Sequence, residues 1–470
     1  MPLCGQLTAL GASGSSGTSC EANTAAMAKR GLLLQMCCVP QRDSETCILR
    51  PLDREIKMSV QERTRTLAGP DGRLFGKIID LDSHEMMPVQ LWVEHFGEVV
   101  KPWADFMMAK PADKNEAGGN VQNLPDYSGE AELSADTLWL EKGATAPGSS
   151  VMSKRLEVMD LMGVDKQLMF PTGVGLFGAI FYGAPEGSGF HGLFEEDTAT
   201  YAAKLMAANN DWAVEINRIS PRLRPVTPLF GNTPEELTEY TAKLVNDGVR
   251  AVQIITGRPP GGVSPASNKL DSFYALLAEA RVPLMTHIGG EAAFFASNEW
   301  CNAEAFEGYR VTTESSMDPW YMASYHLGAQ NLIATMVAGG VFDRHPTLRV
   351  GVAEYTAHWI GPLARQLDFW HEKNHSIHPK EFSSTTGVRL PMRPSEYIAR
   401  NVRVSPFCFE PVGEYIEKFG LEDVYCFASD YPHTEGGTNP VGRFEESLNS
   451  LGDEVIEKFF VKNGAFLLPD

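Results

Sequence analysis

The sequence predicts an α/β fold, a TIM-type (β/α)8 barrel with an N-terminal extension and loop insertions. Three observations predict it. Eight short runs centred near residues 78, 167, 227, 253, 284, 351, 404 and 427 are apolar on both faces, as parallel strands covered by helices are. Nearly all are separated by helix-like segments, and polar residues gather at their carboxyl ends. An open doubly wound sheet is the competing arrangement. No GxGxxG follows the first run, and the polar residues close well-separated strands, so the barrel is preferred.

In chain order, residues 1–76 form the expected extension. Residues 1–30, with GASGSSGTS at their centre, read as a flexible lead. Lys29 and Arg30 precede an apolar patch too brief for a secretory signal, and no Ala-x-Ala site follows. An organellar targeting segment and a translation start placed too early both stay open. Residues 51–76 read as a polar arm.

The barrel domain is expected over 77–470, with insertions near 85–150 and 288–318. Residues 91–108 predict helical pieces carrying Trp92, Phe96, Trp103 and Phe106, and 109–150 predict loop, either a substrate lid or surface decoration. Helices follow over 153–162, 196–217, 233–246, 270–280, 319–339, 359–371, 411–419 and 444–460, alternating with the remaining strands. The helix at 233 is the best signalled: Thr233 offers an N-cap, Pro234 a first-turn proline, and Glu235 and Glu236 first-turn acids.

Composition excludes several classes. Hydrophobic content of 43% with 21% charged residues describes a globular chain. With 60 acids against 40 bases the formal charge is -20, which argues against wrapping a nucleic-acid backbone. No apolar run reaches membrane-spanning length. Of eight cysteines, five (Cys4, Cys20, Cys37, Cys38, Cys47) precede residue 50 and three (Cys301, Cys408, Cys426) are scattered. That is neither a disulfide framework nor a thiolate metal site, and it favours a reducing, cytoplasmic setting.

The chemistry is expected at the strand ends. Period-2 alternation puts Asp80, Asp82 and His84 on one side of the first strand, with Glu85 behind. The fifth strand ends in His287, the sixth in Glu354 with His358 four residues on, and the eighth in Asp430 with His433 three on. In a barrel these ends form one ring. Imidazoles with carboxylates suit zinc, manganese or iron(II). The expected metal ligands are Asp82, His84, His287, Glu354 and Asp430, and the expected catalytic groups are Asp430, Glu354, His358 and His433. A buried imidazole needs a partner, so a satisfied core histidine is the alternative at His287. His358 reads equally as a helix first-turn residue and His433 as a loop histidine. His326 lies in an apolar helix, while His371, His375 and His378 lie in polar sequence and read as solvated. Phe170, Phe177, Phe181, Tyr355 and Trp359 are candidates for aromatic pocket walls.

These residues resemble the amidohydrolase superfamily, and within it the amidohydrolase-related group that includes aminocarboxymuconate-semialdehyde decarboxylase and the resorcylate-type decarboxylases. The anchors are IIDLDSH, MTH at 285–287, HPTLRVGVAE at 345–354, SDYPH at 429–433 and KNGAFLL at 462–468. The resemblance implies a distorted barrel with a metal at its mouth, Asp82 and His84 in the opening motif, His287 on strand five, and Asp430 as the carboxylate of strand eight. Two positions depart from the group's pattern. Asp82 stands where His or Glu is customary, and Glu354 stands where a strand-six histidine polarises substrate. No lysine on strand four offers a carbamylated bridge.

The reading placed first is a metal-dependent hydrolase attacking a C–N or C–O bond of a small organic substrate, with a divalent ion, zinc before manganese or iron, and a second metal left open. Non-oxidative decarboxylation of an aromatic or unsaturated acid is the alternative, with Arg258, Arg389 or Arg393 pairing the substrate carboxylate. A dinuclear iron-type oxygenase, with Glu354 and His358 completing a second site, is a third, and a degenerate structural partner the non-enzyme case. Expected partners are the substrate and further copies of the chain, with a hetero-oligomer open, and neither nucleic acid nor membrane.

Overall fold

The computed structural model describes residues 66–109, 124, 126–184, 194–290, 304, 323–376 and 390–469. Most of the expected extension, the bulk of the 288–318 insertion, Cys301, His378 and Arg389 lie outside these, as does the side chain of His375.

Parallel strands run in sequence order: β1 (Ile78–Asp80), β2 (Val164–Met169) and β3 (Leu223–Pro225) in one sheet, and β4 (Thr227–Pro228), β5 (Val252–Gln253), β6 (Leu284–His287), β7 (Val350–Ala353) and β8 (Val402–Val404) in the other. β3 and β4 are one strand interrupted at Val226. Pro225 and Pro228 both lack an N–H, so the ladder to β2 stops before the ladder to β5 starts.

The eighth strand expected over 424–430 forms no continuous ladder, yet it occupies the closing position. Cys426 donates its amide to Val404 O (3.0 Å), Leu81 donates to Phe427 O (3.1 Å), Asp430 donates to Asp82 O (2.8 Å) and His84 donates to Tyr431 O (2.7 Å). These bonds carry the ring from β8 back to β1. The fold is a distorted (β/α)8 barrel, irregular where the catalytic-type residues leave the strands.

Alternation decides what lies inside. Ile79, Leu81, Leu168, Phe170, Val226, Met285 and Ala353 share one inner cluster, whereas Ile78, Val164, Met169 and Leu284 pack outward against helices. Leu467 and Leu468 belong to the inner cluster, so the C-terminal helix Asn463–Leu467 plugs the amino-terminal end of the barrel. Arg224 holds Pro469 O at 2.7 Å and Arg349 holds Phe466 O at 2.8 Å. Gly351 leaves room for the end of the Met285 side chain, whose methyl and sulfur lie 2.3 and 2.4 Å from where a Cβ would stand. Among the described residues this fills the amino-terminal end, and the polar residues that close the strands gather at the other, carboxyl-terminal end.

The helix Pro234–Asn246 starts as expected, its Glu236 amide bonded to Thr233 Oγ1 at 3.1 Å. The final helix does not run unbroken from 444 to 460. Gly452, at φ 84°, separates Pro440–Leu448 from Asp453–Glu457. In the first insertion, Ala135–Leu140 is a helix capped by Ser134, where loop was expected. Residues 66–76, the described end of the arm, pack on the barrel domain: Ala68 and Leu74 are buried, and the amides of Leu67 and Ala68 bind Glu445 Oε1 at 2.5 and 2.8 Å. Among the described residues no helix is long and apolar enough to cross a membrane.

Candidate metal centre

Four side chains from three strand ends meet. Asp82, His84, His287 and Glu354 each place one ligand-type atom within 4.8 Å of the others, and all four are buried. His84 Nε2 lies 3.4 Å from Asp82 Oδ1, 3.5 Å from Asp430 Oδ1 and 3.8 Å from Glu354 Oε2. His287 Nε2 lies 2.8 Å from Glu354 Oε2 and 3.6 Å from Asp82 Oδ1. A second, overlapping group joins His84 and Glu354 to Asp430 and His433.

The outer nitrogens of the two ligand-type histidines are already engaged. His84 Nδ1 is 3.2 Å from Thr172 Oγ1, and His287 Nδ1 is 3.0 Å from Ile288 O. A carbonyl can only accept, so His287 Nδ1 carries a proton, and in the neutral ring that a cation would bind Nε2 presents a lone pair. Asp82 Oδ1, His84 Nε2, His287 Nε2 and both Asp430 oxygens are buried, and their close polar neighbours among the described residues all belong to this cluster. No Lys or Arg forms an ion pair with Asp82, Glu354 or Asp430 among the described residues. Converging acceptors without donors, with the rear nitrogens tied to the protein, fit a divalent cation.

Without a cation the groups bias one another strongly. Burial raises the Asp82 carboxyl, but the imidazoles of His287 and His84 outweigh it and hold Asp82 well below the usual carboxylate range. Burial, then Glu354, push Asp430 well above it. His84 is lowered by burial and by His433, while Glu354 and Asp82 overcome burial to raise His287.

The backbone is strained at this site. Glu354 sits at φ 60° and Asp430 at φ 51°, a region that L-residues rarely adopt. Each conformation turns a carboxylate back over the strand end that carries it, at a cost on the order of 1 kcal/mol or more.

Asp80, although on the same strand face, is not among the ligand-type groups. Its oxygens accept from Gln167 Nε2 (2.7 Å), Ser429 Oγ (2.5 Å), Ser429 N (2.9 Å) and Asp82 N (3.2 Å). Burial lifts its carboxyl to about 6. Glu85 likewise accepts from the amides of Thr172, Gly173 and Met87.

His358 is not drawn into the cluster. It is exposed, its Nδ1 2.7 Å from Thr356 Oγ1, and it faces His326 with ring centroids 4.7 Å apart. His433 is buried: its ring stacks on His84, and its Nδ1 is 3.2 Å from Asp430 Oδ1. Phe177 and Phe181 pack against Trp103 rather than the mouth. Trp359 is buried in the main cluster, and Tyr355 donates to His287 O at 2.9 Å. Phe170 lies against His287 at 4.5 Å. Arg258 is held over Tyr182 and bonded to Asn232, and Arg393 sits at the start of the helix Pro394–Asn401. Neither lines the cavity that contains Asp82, Glu354 and Asp430. Its other walls are Ser405, Phe407, Cys408, Glu435 and Gly436. The exit of β8 supplies the first three of these, and only the polar Ser405 closing that strand hinted at it.

A family model described as amidohydrolase matches residues 187–469. The chain belongs to the amidohydrolase family. That match takes in His287, Glu354 and Asp430, while Asp82 and His84 precede it. The same fold is found in an amidohydrolase from Mycobacterium avium subsp. paratuberculosis K-10, at 20% identity and TM-score 0.57 over 83% of this chain and 99% of that one. It is found in a 5-carboxyvanillate decarboxylase from Sphingomonas paucimobilis, at 15% identity and TM-score 0.50 over 83% and 98%. A 2,6-dihydroxybenzoate decarboxylase complexed with 2,6-dihydroxybenzoate gives the same identity, TM-score and coverage. No curated protein matches the sequence. This amidohydrolase-family chain is thus an enzyme built on the barrel its strand pattern predicts.

Proposed function

We propose that this enzyme is a metal-dependent decarboxylase of a small aromatic or unsaturated carboxylic acid. The observation that carries the reading is the placement of Asp430. Asp430 lines the cavity shared with Asp82 and Glu354, and among the described residues its one close side-chain neighbour outside the cation ligands is His433, whose Nδ1 is 3.2 Å from its Oδ1. An acid and a cation-binding face on one small cavity are what protonation at carbon requires. The fold-level likeness to two decarboxylases of hydroxylated benzoates supports the choice over hydrolysis.

Asp82, His84, His287 and Glu354 would hold the cation, with Thr172 and Ile288 O fixing the two imidazoles. When bound, a divalent ion supplies Lewis acidity and binds substrate oxygens. Phe407 offers the substrate an aromatic wall. As the carbon–carbon bond breaks, carbon dioxide departs and its electron pair stays on the ring or alkene carbon. Asp430 delivers a proton to that carbon, and His433, 3.2 Å from Asp430 Oδ1, returns a proton to the carboxylate. With Asp430 protonated, Asp82, Glu354 and Glu435 are the acidic side chains that line the cavity. Their repulsion of the substrate carboxylate falls as neutral carbon dioxide forms.

Hydrolysis, the reading placed first from sequence, keeps one specific support. Ser405 Oγ lines the same cavity, buried and without a hydrogen-bond partner, where it could donate to an oxyanion. The test is a panel of hydroxybenzoates and of matched esters, amides and lactones, assayed with the manganese- and zinc-loaded enzyme. Carbon dioxide release from an acid, abolished in Asp430→Asn, is the predicted result. Turnover confined to the esters, amides or lactones would replace decarboxylation by hydrolysis.

A further inference from the structure

Behind the candidate cation site lies a buried polar chain that the chemistry above does not use. Arg155, on the helix Met152–Met162, is fully buried and makes no carboxylate ion pair among the described residues. Its guanidinium instead donates to neutral acceptors: Nε to Gly148 O at 2.7 Å, Nη2 to His84 O, and Nη1 to Gln167 Oε1 at 3.5 Å. It also lies 5.1 Å from the Tyr431 ring centroid. Gln167, buried on β2, passes the chain on, its Nε2 donating to Asp80 Oδ2 at 2.7 Å. Asp80 in turn receives the amide of Asp82 and both the amide and the hydroxyl of Ser429.

A buried cation whose hydrogen bonds all go to neutral acceptors, with the carboxylates of Glu130, Asp80 and Glu85 acting on it without an ion pair among the described residues, is a costly arrangement. A core that only needed filling would be better served by apolar side chains. What the arrangement does is geometric. One end grips the backbone of His84, and the other grips Asp82 and the residue preceding Asp430. Those segments are the barrel's irregular closure, where no continuous ladder sets their register.

We infer that Arg155, Gln167 and Asp80 are positioning residues, a brace that presets the distances among Asp82, His84 and Asp430 before a cation arrives. The brace bears on the cation site and does not depend on which reaction the enzyme runs. Groups one step behind a metal ligand typically alter metal affinity by about ten- to a hundredfold.

The experiment is a cobalt(II) titration of the metal-free full-length protein, followed by ligand-field absorption, alongside thermal melting. The variants are Gln167→Met, which keeps volume and removes both bridging bonds, and Arg155→Lys, which keeps the charge and loses the fork. The expected result is a folded variant melting within a few degrees of the parent, cobalt bound about ten- to a hundredfold more weakly, and a shifted ligand-field spectrum. A folded variant with parental affinity and spectrum overturns the inference. So does loss of folding in both variants, because the chain would then serve the barrel and not the site.

Discussion

The imidazole of His433 lies flat on that of His84, centroids 3.7 Å apart and planes 19° apart. Two imidazolium rings in that position would repel, so at most one of the pair is cationic. His84 presents its Nε2 to the cation ligands, which leaves His433 as the ring that exchanges a proton with Asp430. His433→Ala is therefore expected to lower kcat by about 10²- to 10⁴-fold while divalent affinity stays within about tenfold. Steady-state kinetics beside a metal titration checks this. A parallel loss of affinity would make His433 a ligand.

Removal of a ligand has the opposite signature. His287→Ala and Asp82→Ala are expected to lose the bound divalent ion and the stabilisation it confers. At a thousandfold excess of free ion over Kd that stabilisation is about 4 kcal/mol. Thermal melts with and without the ion measure it, and the two variants should no longer respond.

Glu354 pays a conformational penalty at φ 60° and stands among other carboxylates. Glu354→Gln should lower the melting temperature of the metal-free protein, because it removes the carboxylate 2.8 Å from His287 Nε2 and leaves that buried imidazole without its partner. It should also weaken cation binding.

Glu410 gives a pH prediction away from the ligands. Its carboxylate accepts from the amides of Ala357 and Phe407 and from the Tyr415 hydroxyl, and burial raises it from 4.5 to about 7. The folded protein therefore keeps this proton to higher pH than the unfolded chain. Stability falls as pH rises from 4.5 to about 7, by about 3 kcal/mol from this group. Glu410→Gln should flatten that part of a urea-unfolding profile measured against pH.

The strands were legible because buried parallel strands read as short apolar runs, and His287, Glu354 and Asp430 end such runs. The stretch at 424–430 reads like the others, but its backbone leaves the ladder to turn Asp430 inward, which apolar content does not encode. His433 and His358 looked alike in sequence. They part because Asp430 at φ 51° is followed by a turn that returns His433 over His84, whereas Thr356 at φ 55° binds the His358 ring itself and holds it outward. Phe177 and Phe181 were misread because helix rotation, not residue type, aims them at Trp103. Arg155 was invisible: a charged residue in a weakly amphipathic helix reads as solvated, and only the fold shows it buried.

The account depends most on a cation sitting among Asp82, His84, His287 and Glu354. Anomalous diffraction from crystals of the manganese-loaded protein tests that directly. The predicted result is a peak within about 2.4 Å of the Nε2 atoms of both His84 and His287. A fully loaded crystal with no peak there, or with its peak elsewhere, would contradict it.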